Sequence, residues 1–263
     1  MDTLTLEYPD FTFAIYREML AQLTARFRVQ RVCDALTEPS AAGTLILRHD
    51  LDFSPALSLP IAEIESDLGV RSSYFVALHL HYNPHVQLHA GALRRIAALG
   101  HEIGLHYDST IYDDAGSSEV RSAWLQQHVS VLEEICQAPV VSIARHNPSI
   151  ATGRDPFATG TPFHNAYDPT LFDDTIYLSD SCRGWRLGGL GPCWSIPSPQ
   201  RIYLLIHPEL WSEVENVERM AYLQLLRKRI LEEHIAVYDS VQEVWQSHAG
   251  GQEHDRRIQS GED

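Results

Sequence analysis

Short apolar runs alternate with longer amphipathic stretches through most of the sequence. Runs such as TLILRH and SSYFVAL predict buried strands, and the stretches between the runs predict helices. Strands that alternate with helices predict a parallel sheet, either open or closed into a barrel. The predicted strands lie at residues 29–33, 44–49, 72–78, 102–106, 140–146 and 202–207, with short ones near Asn165 and Tyr177.

Helix boundaries are marked by capping and breaking residues. Ser54 followed by Pro55 is typical of a helix start, and Pro60 predicts a kink or a separate first turn. Glycines at 69 and 100 are natural stops. The predicted helices cover residues 11–26, 54–69, 89–99, 117–137 and 212–234, and residues 237–245 are expected to hold a last strand and a short helix.

The chain of 263 residues suits one large α/β domain better than two small ones. We expect residues 1–43 to form a helix and a strand appended to a main domain at 44–246. Residues 247–263 are polar and predict a disordered tail.

Composition excludes some classes of function. The formal net charge of −15 argues against a nucleic-acid partner, because phosphate binding requires a basic surface. No apolar run approaches the ~20 residues of a membrane span. The first residues are acidic and lack the apolar segment of a secretory signal, so we expect a cytoplasmic location. The oligomeric state stays open.

Titratable residues gather where four predicted strands end. Because the carboxyl ends of parallel strands share one face of the sheet, and that face holds the active site in parallel α/β folds, we expect these residues to lie together. The clusters are RHDLD at 48–52, HYD at 106–108, RHN at 145–147 and IHP at 206–208.

Residue spacing within the clusters indicates a metal-assisted site. Asp50 and Asp52 stand two residues apart, so their side chains point the same way while the chain stays extended. Two neighbouring carboxylates repel each other unless a cation lies nearby. A divalent metal would supply that cation, with one aspartate as ligand and the other as base for the attacking water. His106 and Asp108 have the same spacing and suit zinc or related ions.

Each of these residues also has a purely structural interpretation. Asp50 and Asp52 could be a cap and a turn residue before the helix at Ser54. His106 could be a core histidine bonded to the backbone, and His207 could simply end a strand. Other histidines are interpreted as structural or as contacts at the rim of the site: His49, His101 and the run at 79–85.

With these residues in view, the sequence resembles the polysaccharide deacetylase superfamily, the NodB-homology or carbohydrate esterase family 4 group. RHDLDFS is similar to the first motif in the variant with one residue between the aspartates, and LGHEIGLH is similar to the lead-in of the second. The resemblance spans roughly residues 44–211. It implies a distorted, incomplete (β/α) barrel.

The resemblance also implies roles for individual residues. Asp50 would be the general base, Asp52 and His106 metal ligands, and His207 the general acid. The segment IARHNPS is a looser match, where Arg145 would orient the base or His146 would take its place. The further assignments are Leu205 lining the acetyl pocket, Asp180 orienting the acid, Trp185 walling the pocket and Tyr107 contacting the substrate.

One position departs from the family pattern. The second motif usually has another histidine four residues after the first, and Thr110 stands there in this sequence. Asp108 or His146 could complete the ligand set. We favour His146, because a second neutral ligand keeps the net charge that the chemistry requires.

The resemblance implies a metal-dependent hydrolase that removes an acyl group, in the first place N-acetyl, from a sugar or another small molecule. The cofactor would be one divalent ion, zinc in the first place, with cobalt, nickel or iron as alternatives. Two rival classes are a non-catalytic carbohydrate-binding relative and a non-haem iron oxygenase using His106, Asp108 and a distal histidine.

Overall fold

The computed structural model describes residues 11–38, 42–148, 155–185, 201–215 and 217–260. Its helices are α1 Phe13–Thr24, α2 Val32–Thr37, α3 Pro55–Asp67, α4 Gln87–Ala98, α5 Ser118–Cys136 and α6 Arg219–Ser260. Its strands are β1 Arg28–Gln30, β2 Thr44–Leu51, β3 Ser73–Val76, β4 Glu102–Tyr107, β5 Val140–Arg145, β6 His164–Asn165, β7 Thr175–Ser179 and β8 Arg201–Ile206.

The strands form one sheet in the order β6-β5-β4-β3-β2-β8-β7. Strand β1 pairs with residues 44–46 at the start of β2, and β3 pairs with residues 48–51 at its end. All pairings among the described strands are parallel. The sheet curls into a half-barrel with helices around it, so the predicted incomplete (β/α) barrel is confirmed.

Strand β2 lies at the middle of the sheet, and all eight of its residues are buried. Burial on both faces explains the apolar run at residues 45–47 in its first half. Helices α4 and α5 cover neighbouring strands through a core that includes Leu93, Ile96, Leu125 and Leu132. This packing supports the carboxyl ends of β2, β4 and β5, and β8 is held beside β2 by parallel pairing.

Helix α3 begins as predicted but continues through its internal proline. The Ser54 side chain caps the helix by accepting a hydrogen bond from the Leu57 N–H at 3.4 Å. Pro60 lies in the second turn, where it removes one backbone hydrogen bond. The separate first turn predicted before Pro60 is therefore not present, and α3 is one helix.

The end of the chain differs from the prediction. Ser212 is extended, because its carbonyl accepts from the Phe13 N–H at 2.9 Å and its N–H donates to the Phe11 carbonyl at 3.0 Å. The Glu218 carboxylate then caps α6 by accepting from the N–H of Met220 at 2.9 Å. A helix from residue 212 and a strand within 237–245 were wrong predictions.

Helix α6 continues to Ser260 where we predicted a disordered tail from residue 247. Residues 219–249 contain no glycine or proline and are rich in Leu, Glu, Arg and Gln, which favour a helix despite their polarity. The chain divides into two compact units, Met1–Val217 and Glu218–Asp263, and β1 pairs with β2 within the first of them. None of the helices in the described ranges combines the length and hydrophobicity that a membrane span requires.

Candidate active site

The strand-end residues surround one cavity of about 310 Å³. Polar side chains from the ends of β2, β4, β5 and β8 meet there, as the parallel topology predicts. These polar lining residues are Asp50, Asp52, His106, His146, Asn147 and His207. The remaining wall includes Tyr167, Phe172, Tyr177 and Leu205.

Three of these side chains form a compact group of potential metal ligands: Asp52, His106 and His146. The Oδ1 atom of Asp52 lies 3.4 Å from Nε2 of His106 and 3.5 Å from Nδ1 of His146. The two ring nitrogens are 3.1 Å apart. A tetrahedral zinc site with bonds of about 2.0–2.2 Å has ligand edges of about 3.3–3.6 Å, so the triangle has the size of one face of such a site.

Hydrogen bonding around this group also fits a cation. Among the described residues, the buried Oδ1 of Asp52 has no hydrogen-bond partner. Nδ1 of His106 lies 3.1 Å from the Ala144 carbonyl oxygen, which selects the tautomer with a lone pair on Nε2. Burial raises the pKa of Asp52, but His106 and His146 outweigh that effect and hold it well below its usual range. The donor set fits a divalent ion such as zinc.

His146, not Asp108, lies in the ligand group. Oδ1 of Asp108 accepts hydrogen bonds from the backbone N–H and the hydroxyl of Thr110, at 2.9 and 2.8 Å. Asp108 thereby caps the short 3₁₀ helix Ser109–Ala115. The preference for His146 agrees with this placement. The same contacts take Asp108 away from His106, so the predicted oxygenase triad containing Asp108 does not form.

The predicted base, Asp50, is buried beside an arginine of its own strand. Arg48 donates from Nε and Nη2 to the two carboxylate oxygens of Asp50, each at 2.8 Å. Oδ2 of Asp50 also lies 3.7 Å from Nε2 of His106. Burial raises the pKa of Asp50, but the charges of Arg48 and His106 outweigh burial and lower it. Asp50 is therefore held ionised at the edge of the cavity.

The predicted acid, His207, is held on the other side by Asp180. Nδ1 of His207 lies 2.7 Å from Oδ1 of Asp180, and the His207 N–H donates to the same carboxylate at 3.0 Å. Trp211 donates its indole N–H to Oδ2 of Asp180 at 2.8 Å. Burial lowers the pKa of His207, but Asp180 outweighs it and raises the pKa to about 10. Nε2 of His207 lies 4.0 Å from Oδ2 of Asp52.

Three predicted site residues make contacts outside the cavity. Arg145 donates to the Ser109 hydroxyl from Nε at 3.0 Å, and Arg48 makes the contact with the base that we predicted for Arg145. Tyr107 is buried, donates its hydroxyl hydrogen to Asp155 at 2.6 Å and is not among the residues that line the cavity. The Trp185 ring stacks on Phe11 and meets Trp211 edge-on, so it is a packing residue and not a wall of the cavity.

Sequence reasoning placed Arg48 in the RHDLD cluster without giving it a role, and it missed three aromatic residues of the cavity: Tyr167, Phe172 and Tyr177. Arg48 had a detectable signal, because it stands two residues before Asp50 in a buried strand and so points to the same face. Tyr167 and Phe172 come from the segment between β6 and β7, where no periodic pattern indicated their position, and Tyr177 lies on β7, which was predicted as a short strand but given no part in the site. Tyr167 and Phe172 stack with ring centroids 6.3 Å apart and planes inclined by 4°.

Solved structures similar to this chain include a chitin deacetylase from the fungal pathogen Colletotrichum lindemuthianum. It is 18% identical, the match covers 73% of this chain and 84% of that chain, and the TM-score is 0.43. The deacetylase PplD from Streptococcus pyogenes, in complex with acetate, is 12% identical over 82% of this chain and 85% of that chain, with a TM-score of 0.38.

A CE4 family pseudoenzyme from Bacillus anthracis is 16% identical over 72% of this chain and 60% of that chain, with a TM-score of 0.37. The sequence matches no protein-family model and no curated protein.

Proposed function

We propose that this chain is a metal-dependent hydrolase that removes an acyl group, in the first place N-acetyl, from a sugar or sugar-like substrate. One observation carries the proposal: an ionised carboxylate and a carboxylate-bound histidine stand beside the same group of Asp52, His106 and His146. A base, an acid and a metal-ligand group around one cavity are the parts that metal-assisted acyl hydrolysis requires.

A divalent metal held by Asp52, His106 and His146 would act as a Lewis acid toward the acyl carbonyl and the attacking water. Asp50 takes the proton from that water, since its carboxylate is ionised and borders the cavity. His207 gives a proton to the leaving amine or alcohol from Nε2, because Nδ1 is held by Asp180. The raised pKa of His207 keeps that proton in place near neutral pH.

The wall of the cavity suits a sugar that carries a small acyl group. Leu205 offers an apolar surface on β8, two residues before His207. Tyr167, Phe172 and Tyr177 add aromatic surface, on which the apolar faces of a sugar ring pack well. We therefore propose a carbohydrate or small-molecule substrate.

The test is acetate release from N-acetylglucosamine and its short oligomers by the full chain loaded with zinc or cobalt. Asp50→Asn should lower kcat by about 10²- to 10⁴-fold, because the amide cannot accept the proton. Asp108→Asn is the matched control, since Asp108 caps a turn outside the ligand group, and its activity should stay close to wild type.

Unchanged turnover in Asp50→Asn would contradict the proposed role of Asp50. Sugar binding that is insensitive to a chelator, without acetate release from any of these substrates, would favour the non-catalytic carbohydrate-binding alternative.

A further inference from the structure

We propose that Arg48 is the positioning residue of the base Asp50, and that this arginine acts from the strand of the base itself. The inference rests on the proposed function and deepens it. The motif resemblance gives the task of orienting the base to Arg145, which lies on β5. The geometry points instead to the guanidinium two residues before Asp50.

Arg48 and Asp50 form a paired, two-point contact. The Nε and Nη2 atoms of Arg48 each lie 2.8 Å from a different oxygen of Asp50. Two parallel hydrogen bonds between a planar guanidinium and a carboxylate fix both the position and the plane of the carboxylate. Each carboxylate oxygen has a second lone pair, so Asp50 still has acceptor capacity for a proton.

The guanidinium itself packs against two aromatic rings. Its central carbon lies 5.1 Å from the centre of the Phe75 ring and 4.5 Å from the centre of the Tyr167 ring. Nη2 also donates to the Tyr167 hydroxyl at 3.1 Å. Arg48 is fully buried, and the ammonium of a lysine cannot reproduce the planar contact of a guanidinium with an aromatic ring.

The neighbouring strand makes room for this arrangement. A Cβ atom at Gly104 would lie 2.4 Å from the Phe75 ring, so only glycine lets that ring keep its place beside the guanidinium. Tyr167 lines the cavity together with Asp50. Arg48 therefore connects the base to one aromatic residue in the core and to another in the cavity wall.

Arg145 makes different contacts. Its guanidinium donates from Nε and Nη2 to the Ser109 hydroxyl, at 3.0 and 2.9 Å. Ser109 begins the 3₁₀ helix after β4. Arg145 thus ties the end of β5 to the loop that follows β4, while Arg48 takes the base.

The experiment compares Arg48→Ala, Arg48→Lys and the matched variant Arg145→Ala, with and without added guanidinium chloride at concentrations that do not unfold the wild type. For each variant, kcat, KM and bound metal are measured on the substrate that wild type deacylates. Arg48→Ala should lose about 10²-fold or more in kcat with little change in KM, because the base is no longer oriented. Added guanidinium should raise the kcat of Arg48→Ala at least tenfold, because it can enter the space left by the side chain. Arg48→Lys should stay impaired and gain little from guanidinium, since its own ammonium fills the space.

Rescue of Arg48→Ala together with retained metal supports the inference, since a general folding defect would not respond to guanidinium in kcat alone. Wild-type kcat in Arg48→Ala, or guanidinium rescue confined to Arg145→Ala, would overturn it. If Arg48→Ala does not fold, Arg48→Lys still tests the inference. A soluble, metal-loaded Arg48→Lys with wild-type kcat would also overturn the inference. A wild-type chain that releases no acetate would overturn the proposed function first, and this inference with it.

Discussion

Two groups of one carboxylate and two histidines lie near strand β2, and they are built for different tasks. In the first, Glu65 is fully buried with His49 and His101. Its Oε1 atom contacts Tyr16 and His49, and its Oε2 atom accepts from Ser72 and Tyr74. In the second, Asp52 lies with His106 and His146 beside the cavity.

The two groups contain the same residue types in part, but they differ in how many hydrogen-bond partners their carboxylate oxygens have and in how exposed the carboxylate is. Both oxygens of Glu65 are supplied with donors, and its side chain has no exposed area. The Asp52 side chain is 18% exposed, and its Oδ1 has no hydrogen-bond partner among the described residues. A buried polar group that lacks a partner is costly, so a bound cation would stabilise the second group and would gain nothing in the first. We infer that the Glu65 group stabilises the fold and that the Asp52 group performs chemistry.

The largest expected effect is on kcat, and it distinguishes a histidine at the cavity, His207, from a histidine of the Glu65 group, His49. His207→Gln should lower kcat by about 10²- to 10⁴-fold, because it removes the proton donor. It should also lower the free energy of unfolding, because the buried Asp180 carboxylate loses its imidazole partner. His49→Gln should leave kcat within a few-fold of wild type and lower the free energy of unfolding by about 1–3 kcal/mol, because Glu65 loses a buried partner. Steady-state kinetics and urea unfolding of both variants check this. Equal effects of the two variants on kcat would contradict the assignment of a structural role to the Glu65 group and a catalytic role to the residues at the cavity.

The next effect concerns the pH dependence of stability. Burial raises the pKa of Glu65, but His49 and the other donors outweigh it and lower the pKa from 4.5 to about 2. A lowered pKa in the folded state means that Glu65 stabilises the protein above pH 4.5, and that this stabilisation is lost as pH falls toward 2. The loss amounts to about 3 kcal/mol for this group. Urea unfolding between pH 6 and 3 should show a steeper loss in wild type than in Glu65→Gln. Parallel curves would contradict the role of Glu65.

The smallest expected effect is on the cavity wall. Phe172→Leu keeps an apolar side chain but removes the ring that stacks on Tyr167. KM for a sugar substrate should rise by up to about tenfold with kcat nearly unchanged, because only binding surface is lost. Leu171→Met is a suitable control, since Leu171 is buried in the adjoining core and does not line the cavity. A fall in kcat without a change in KM for Phe172→Leu would argue against a binding role.

Much of the fold and the centre of the site could be predicted from the sequence. Apolar runs and capping residues located β2, β4, β5 and β8, and parallel topology then brought Asp50, His106 and His207 to one face. The choice of third ligand was less accessible, because it depends on Thr110 holding Asp108 in a turn.

Other features depend on contacts that no local pattern carries. The late start of α6 follows from the pairing of Ser212 with the chain around Phe11 and Phe13. The aromatic residues that line the cavity, Tyr167, Phe172 and Tyr177, take their places through the fold of the chain from β6 to β7. Arg48 could have been found, since an arginine inside an otherwise buried strand needs a charged partner on the same face.

The most direct test of the central claim is the metal content of the purified chain, measured by elemental analysis after incubation with zinc and removal of excess ion. We predict about one divalent ion per chain in wild type, in Asp108→Asn and in Glu65→Gln, and a loss of that ion in Asp52→Asn. This result would place the metal at the open group and nowhere near the closed one. No bound ion in wild type, or an ion that leaves with Glu65→Gln or Asp108→Asn while Asp52→Asn retains it, would contradict the account.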